Sequence, residues 1–318
     1  MPRIALFLAL ALSPALSLAT PLRAEPPLRI VTTTAHLADM TRAIAGDCAT
    51  VRALIPPGTP PQSHSATPDD RAALAGAALI IATDPALEPG LAAALAPQAV
   101  DAPVLQVLRA ATSIETLRAE AGNTGGTAAE SPGGIDPHLW HAVSRWARIA
   151  PLIALEISDH RPACAAAIEA RTRAHIDRLE ALHDWTAAAL ASIPADTRLL
   201  VSAQDAFGYM AEPFALDIAT LPADAPAAMV QALADRVIAR GVPAVFPVHG
   251  ADPAGLHALV AVVQGRGGTL TVAPPLHGTT LGEPGTEAGD YIGMIRANVQ
   301  AITRTLGGTV PDWPLTEP

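Results

Sequence analysis

The chain has no lysine: all 20 basic residues are arginine, scattered along 318 residues that also carry 30 acids. With a net charge of −10 and no basic cluster, it lacks the electrostatic footprint that holds nucleic acid or an anionic membrane surface. Enzyme signatures are missing as well. There is no G-x-S-x-G elbow, no phosphate loop ending in GK[ST], no HExxH and no CxxC. Beyond the N-terminus no apolar run is long enough to cross a bilayer, since Ala-rich stretches such as 86–96 are broken by Pro and Glu. Cysteine is reduced to Cys48 and Cys164. In an oxidising compartment these either pair or stay as two buried thiols.

What is present points to a large folded protein. Half of the residues are hydrophobic, which excludes wholesale disorder, and the length suits two domains. The excess of acids and the 10 histidines make a cation the natural guest. Residues 1–24 follow the plan of a secretory signal peptide: Arg3, an apolar run too short to span a membrane, then small residues, with cleavage after Ala19 or Ala24. The exported protein is therefore expected in the periplasm, without stable membrane insertion.

From residue 28 short β-rich runs alternate with amphipathic stretches. Strands are expected at 29–33, 50–55, 78–82 and 103–107, with helices at 37–44, 69–74 and 87–95. Residues 121–134 have no apolar period and read as a flexible connection. Helices follow at 143–157 and 164–193, the second long enough to serve as a spine. The rhythm then resumes, with strands at 199–202, 217–220, 244–247 and 269–272 and helices at 227–240, 253–264 and 291–306. The expected fold class is α/β: two lobes with mostly parallel sheets, joined by one long spine helix, with a ligand cleft between them. The expected division is 1–24 signal peptide, 25–160 N-terminal lobe, 161–193 spine and 194–318 C-terminal lobe.

Six segments carry a resemblance. They are VTTTAHLADM at 31–40, PPGTPPQSHSATPDD at 56–70, GIDPHLWHAV at 134–143, LLVSAQDAFGYMAEPFAL at 199–216, VPAVFPVHGADP at 242–253 and LGEPGTEAGDYIGMIRANV at 281–299. In this order they resemble the zinc- and manganese-type periplasmic solute-binding proteins of ABC importers, cluster A-I, across essentially the whole exported chain. The resemblance implies one divalent transition metal as cargo, with zinc favoured and manganese or copper as alternatives. It also implies a membrane permease as partner, a monomer, and four ligands converging from two lobes. Of those ligand positions only His138 keeps its family residue. Gln62 stands in place of a His, Gln204 in place of a His or Glu, and Thr279 in place of an Asp.

Neutral amide and hydroxyl oxygens hold zinc or manganese far less well than imidazole or carboxylate. Histidines lie close by in sequence, however. His64 follows Gln62 by two positions, His277 precedes Thr279 by two, His249 follows the expected strand at 244–247, and His141 follows His138 by three. In extended chain a shift of two keeps the face. A site relocated onto His64, His138, His249 and His277 is one reading, a partial site of His138 with His64 another, and a lost site a third. In the last case the cleft takes a small organic ligand or a metal chelate, or the protein is a non-transporting accessory. The histidine- and acid-rich loop common in zinc-type members is replaced by 121–134, which has no His and one acid, Glu130.

His36 is expected to cap a helix or line the cleft, and His160, His175, His183 and His257 to be solvated. Asp205 and Glu283 are the acids nearest the expected cleft, either as substitute ligands or as loop hydrogen-bonders. His138 and His141 on one turn would suit a zinc hydrolase, but no general base lies near, because Asp136 precedes a proline and is expected to cap the turn. A binding protein, not an enzyme, is expected.

Overall fold

The computed structural model describes residues 26–84, 87–97, 100–107, 136 and 138–315. The expected signal peptide and the 121–134 connection lie outside the described residues. β1 (Leu28–Thr32), β2 (Ala49–Ala53), β3 (Leu79–Ala82) and β4 (Val104–Gln106) form one parallel sheet in the order β2-β1-β3-β4. Alternation along the two central strands feeds two cores. Ile30, Leu79 and Ile81 enter the larger one, while Val31 and Ile80 point to a smaller one with Leu54, Ile55 and Leu74.

The second half repeats the order. β5 (Leu199–Ser202) pairs with β6 (Asp217–Thr220), and β7 (Ala244–Val245) with β8 (Thr271–Val272), all parallel. A single bridge between Ser202 and Phe246 joins the pairs as β6-β5-β7-β8. β7 and β8 are shorter than the expected 244–247 and 269–272; Pro243 and Pro247 flank β7 and offer no N–H to a ladder.

Among the described residues the helices are α1 (Ala35–Ala45), α2 (Pro68–Ala75), α3 (Val143–Ala147), α4 (Ile149–His160), α5 (Ala165–Ala191), α6 (Gly208–Ala211), α7 (Ala227–Arg240), α8 (Ala254–Gly265) and α9 (Tyr291–Thr305). The expected helix at 87–95 is instead a chain of turns, such as Leu91 N–H to the Glu88 carbonyl at 2.9 Å. Pro89 and Gly90 interrupt it, and Gly90 lies so close under the His64 carbonyl that a Cβ would overlap it. The expected 143–157 helix divides at Arg148 into α3 and α4.

α5 is the spine. Its 27 residues run about 40 Å at the standard helical rise and touch α1, α3, α4 and α9. Cys48 and Cys164 pair as a disulfide that ties the turn after α1 to the turn before α5, settling the alternatives the sequence left open. Arg171 on the spine reinforces the tie by donating to the carbonyls of Ile44 and Ala45, both at 2.7 Å, at the C-terminal end of α1. Among the described residues no helix is long and apolar enough to cross a membrane.

Candidate metal centre

The segment carrying His138 is shaped by Asp136. One carboxylate oxygen accepts from the His138 backbone N–H at 2.9 Å and from Nδ1 of the same residue at 2.7 Å. A carboxylate oxygen can only accept, so Nδ1 holds the ring proton and Nε2 keeps its lone pair. That Nε2 is buried and has no hydrogen-bond partner in the structure. A histidine oriented by a carboxylate through its far nitrogen is the arrangement by which proteins aim an imidazole at a metal.

The turn Leu139–His141 then inserts Trp140, fully buried, as the hub of the cleft. His36, at the start of α1, lies flat on its ring with centroids 4.6 Å apart, and His138 meets it edge-on at 5.3 Å. The Trp140 indole N–H and His141 Nε2 both donate to the carbonyl of Gly278, at 3.0 and 2.8 Å. A carbonyl accepts only, so His141 keeps its lone pair on Nδ1, again without a partner.

Gly278 is thereby fixed between His277 and Thr279. A side chain there would strike Val248, and the Gln204 amide oxygen lies 3.5 Å from where the Cβ would stand. Thr279 is buried with its hydroxyl unpartnered. Asn298 of α9 clamps His277 on both sides of its backbone, accepting from its N–H at 2.9 Å and donating to its carbonyl at 2.8 Å. The His277 ring stacks on His249 at 4.4 Å. Three further bonds stitch the two halves. They run from Tyr209 hydroxyl to the Asp136 carbonyl at 3.0 Å, from Tyr291 hydroxyl to the Trp140 carbonyl at 2.7 Å, and from Gly58 N–H to the Thr280 hydroxyl at 2.8 Å.

Burial keeps His36, His141 and His277 neutral. It pushes His36 well below the ordinary histidine range, helped by the charges of His141, His277 and His138. Burial also lowers His141 to about 3, against the opposing pull of the Gly278 carbonyl, and His277 to about 4, with His249 adding to the effect. Glu88, buried where the first sheet's central strands end, is pushed up to about 8 by desolvation despite the hydroxyl of Thr33 at 2.6 Å. At neutral pH the site therefore offers lone pairs and little negative charge.

The residues singled out by sequence separate into two groups. Gln204, His277 and Thr279 lie around Gly278, whose carbonyl holds Trp140, the ring that His138 meets edge-on, and His249 is exposed beside His277. His64 does not join them as a free ligand. Its Nε2 lies 3.0 Å from Asp70, whose carboxylate also takes the Thr67 N–H and hydroxyl in the capping box of α2. The same-face argument for His64 fails because residues 61–63 form a 3-10 turn, on which Gln62 is exposed. Among the described residues no three His, Cys, Asp or Glu side chains are gathered so as to hold an ion, so the four-histidine set is not assembled as expected.

Thr34, not His36, caps α1, and His36 faces the cleft from the first turn after β1, at the strand end where parallel sheets place ligands. His141 is likewise interior. On the spine, His175 is buried rather than solvated, and burial lowers it to about 4. Glu283 is exposed, and its carbonyl anchors the turn through the N–H of Thr286 at 3.1 Å.

Residues 30–305 match the family described as ZnuA, zinc-uptake complex component A periplasmic. The manganese-binding lipoprotein MntA of Bacillus subtilis is 27% identical over 288 residues, covering 89% of this chain and 91% of that protein. The zinc-binding protein TroA of Treponema pallidum is 26% identical over 282 residues, 87% of this chain and 88% of its own. A solved structure of the periplasmic zinc-binding protein TroA from Treponema pallidum superposes with a TM-score of 0.76 at 26% identity, covering 88% of this chain and 99% of that one.

Proposed function

The chain belongs to the family of periplasmic zinc-uptake component A proteins, and from that premise we propose that it is the exported solute-binding component of a metal-ion ABC importer. In this reading it captures a divalent transition metal and delivers it to a membrane permease. The observation that carries it is His138, buried, held through Nδ1 by Asp136 and presenting a free Nε2 lone pair. The donors around it are imidazole and neutral oxygen, a set that favours zinc or copper over manganese. The disulfide supports an oxidising compartment, in keeping with export. In this reading the protein acts as a monomeric binder and not as an enzyme.

The test is equilibrium dialysis of the signal-processed protein against zinc, with metal analysis. About one zinc per chain is expected, lost when His138 is replaced by Phe. No retention at micromolar free zinc overturns the reading.

One observation favours a second reading. Three of the four inherited ligand positions carry Gln62, Gln204 and Thr279, whose neutral groups suit a polar organic guest or a metal chelate. Thermal stabilisation by a chelate or metabolite but not by free metal selects it.

A further inference from the structure

α1 carries a single acid, Asp39, half-buried between the fully buried Ala38 and Met40. A carboxylate in such a seam needs a donor, and it finds one in the other half of the chain. Its Oδ2 accepts the backbone N–H of Tyr291 at 3.2 Å. Tyr291 is the first residue of α9, so the contact sets a carboxylate on a helix N-terminus, whose unpaired N–H groups favour negative charge. Asp290, the N-cap, acts at the same end by accepting from the Gly293 N–H at 2.7 Å.

Tyr291 carries the tether inward. It is fully buried, its ring stacks on Trp146 with centroids 5.6 Å apart, and its hydroxyl donates to the Trp140 carbonyl at 2.7 Å. That carbonyl belongs to the turn Leu139–His141, directly after His138. One chain of contacts therefore runs from Asp39 on α1, through the first residue of α9, to the backbone that presents His138.

We propose that Asp39 is a positioning residue for cargo capture: it holds the N-terminus of α9 against α1 and, through Tyr291, fixes the turn that carries His138. The inference rests on the metal-capture reading above. The charges that face Asp39 come from three elements: Arg42 one turn along α1, Arg178 on the spine and Asp290 before α9. Burial, with Asp290 adding to it, pushes the Asp39 carboxyl up to about 6, against the pull of the Tyr291 N–H and the two arginines. The tether is thus charged at pH 7.5 and neutral at pH 5.0. Protonation leaves an acceptor oxygen but removes the charge that draws the helix end in, so the contribution of Asp39 to capture is present above pH 6 and lost below it.

The test compares the signal-processed wild type with Asp39→Asn, Tyr291→Phe and the double variant. Zinc affinity is read by competition with a chelating dye at pH 7.5 and pH 5.0, with a melting curve to confirm folding. Protonation of the ligands is common to all four proteins, so the ratio of wild-type to variant affinity isolates the tether. Asp39→Asn is expected to bind zinc at least about fivefold more weakly than wild type at pH 7.5 and within about twofold of it at pH 5.0. Tyr291→Phe, which keeps the stack on Trp146, should lose about as much at pH 7.5, and the double variant no more than the worse single one. Asp39→Asn within about twofold of wild type at pH 7.5, a ratio that is the same at both pH values, or losses that multiply in the double variant overturn the proposal; zinc uptake abolished in His138→Phe then leaves metal capture standing. A wild-type protein that takes up no zinc overturns both. If Asp39→Asn does not fold, Tyr291→Phe within about twofold of wild type at pH 7.5 still refutes the proposal.

Discussion

The indole N–H of Trp140 donates at 3.0 Å to the carbonyl of Gly278, a residue 138 positions away in sequence. His141 uses the same acceptor, so one backbone carbonyl orients the hub of the cleft and the loop that carries His277 and Thr279.

Replacing that glycine should therefore disturb packing and binding together. A Cβ at position 278 would stand 2.7 Å from the Val248 side chain. Gly278→Ala is expected to cost about 1–3 kcal/mol of stability and to weaken zinc binding in chelator competition. Gly265→Ala, at the end of α8 with open space around it, serves as control and should be neutral or slightly stabilising. Equal melting temperatures for Gly278→Ala and wild type would contradict this account of the Gly278 contact.

Restoring an acid at a lost ligand position should change the metal preference. Thr279 is buried with an unpartnered hydroxyl beside Gly278. Thr279→Asp places a carboxylate there, as the family resemblance implies. Manganese affinity should rise at least about tenfold, because hard oxygen donors suit that ion. The metal-free variant should lose about 1–3 kcal/mol for the uncompensated burial. Calorimetric titration with manganese and a melting curve without it measure the two effects, and an unchanged manganese affinity argues that position 279 does not face the cargo.

Acid should destabilise the fold through its buried histidines. His141 is lowered to about 3 and His175 to about 4, from an ordinary value of 6.5, chiefly by burial. The unfolded chain then binds more protons than the folded one between these values and pH 6.5. Stability is full above that pH and falls as pH drops toward 4. His175 lies on the spine with both ring nitrogens unpartnered. His175→Leu should make the fall shallower by about 1.4 kcal/mol per pH unit, as read from denaturant unfolding at several pH values. A variant with the wild-type slope would show that His175 is not buried neutral.

The disulfide should be worth several kcal/mol. Cys48 and Cys164 close a loop across 116 positions of sequence. By the loop-entropy argument their joint replacement by Ser costs about 3–5 kcal/mol. Reduction of the wild type should lower its melting temperature toward that of the double variant. A reductant effect of the same size in the variant would place the loss elsewhere.

Local order was legible in the amino-acid sequence because its causes are local. Apolar period and caps placed the strands Leu199–Ser202 and Asp217–Thr220 and the helix Ala227–Arg240 where the structure has them. The βα rhythm made the α/β class readable, and the ordered motifs brought out the family and the loss of its acids. The capping box at Thr67 and Asp70 was legible too, and would have warned that Asp70 competes for His64.

Only the tertiary structure decided which histidines meet. His36 reaches Trp140 across more than a hundred residues, His141 ends on a backbone carbonyl that no side-chain pattern announces, and the two cysteines proved to be partners. These relations depend on how two sheets pack on one spine, so they are set by long-range burial and hydrogen bonding, for which periodicity carries no signal. Residue types gave this protein its fold and the one matched family position, His138; the packing around Trp140 brought His36 and His141 against the same ring.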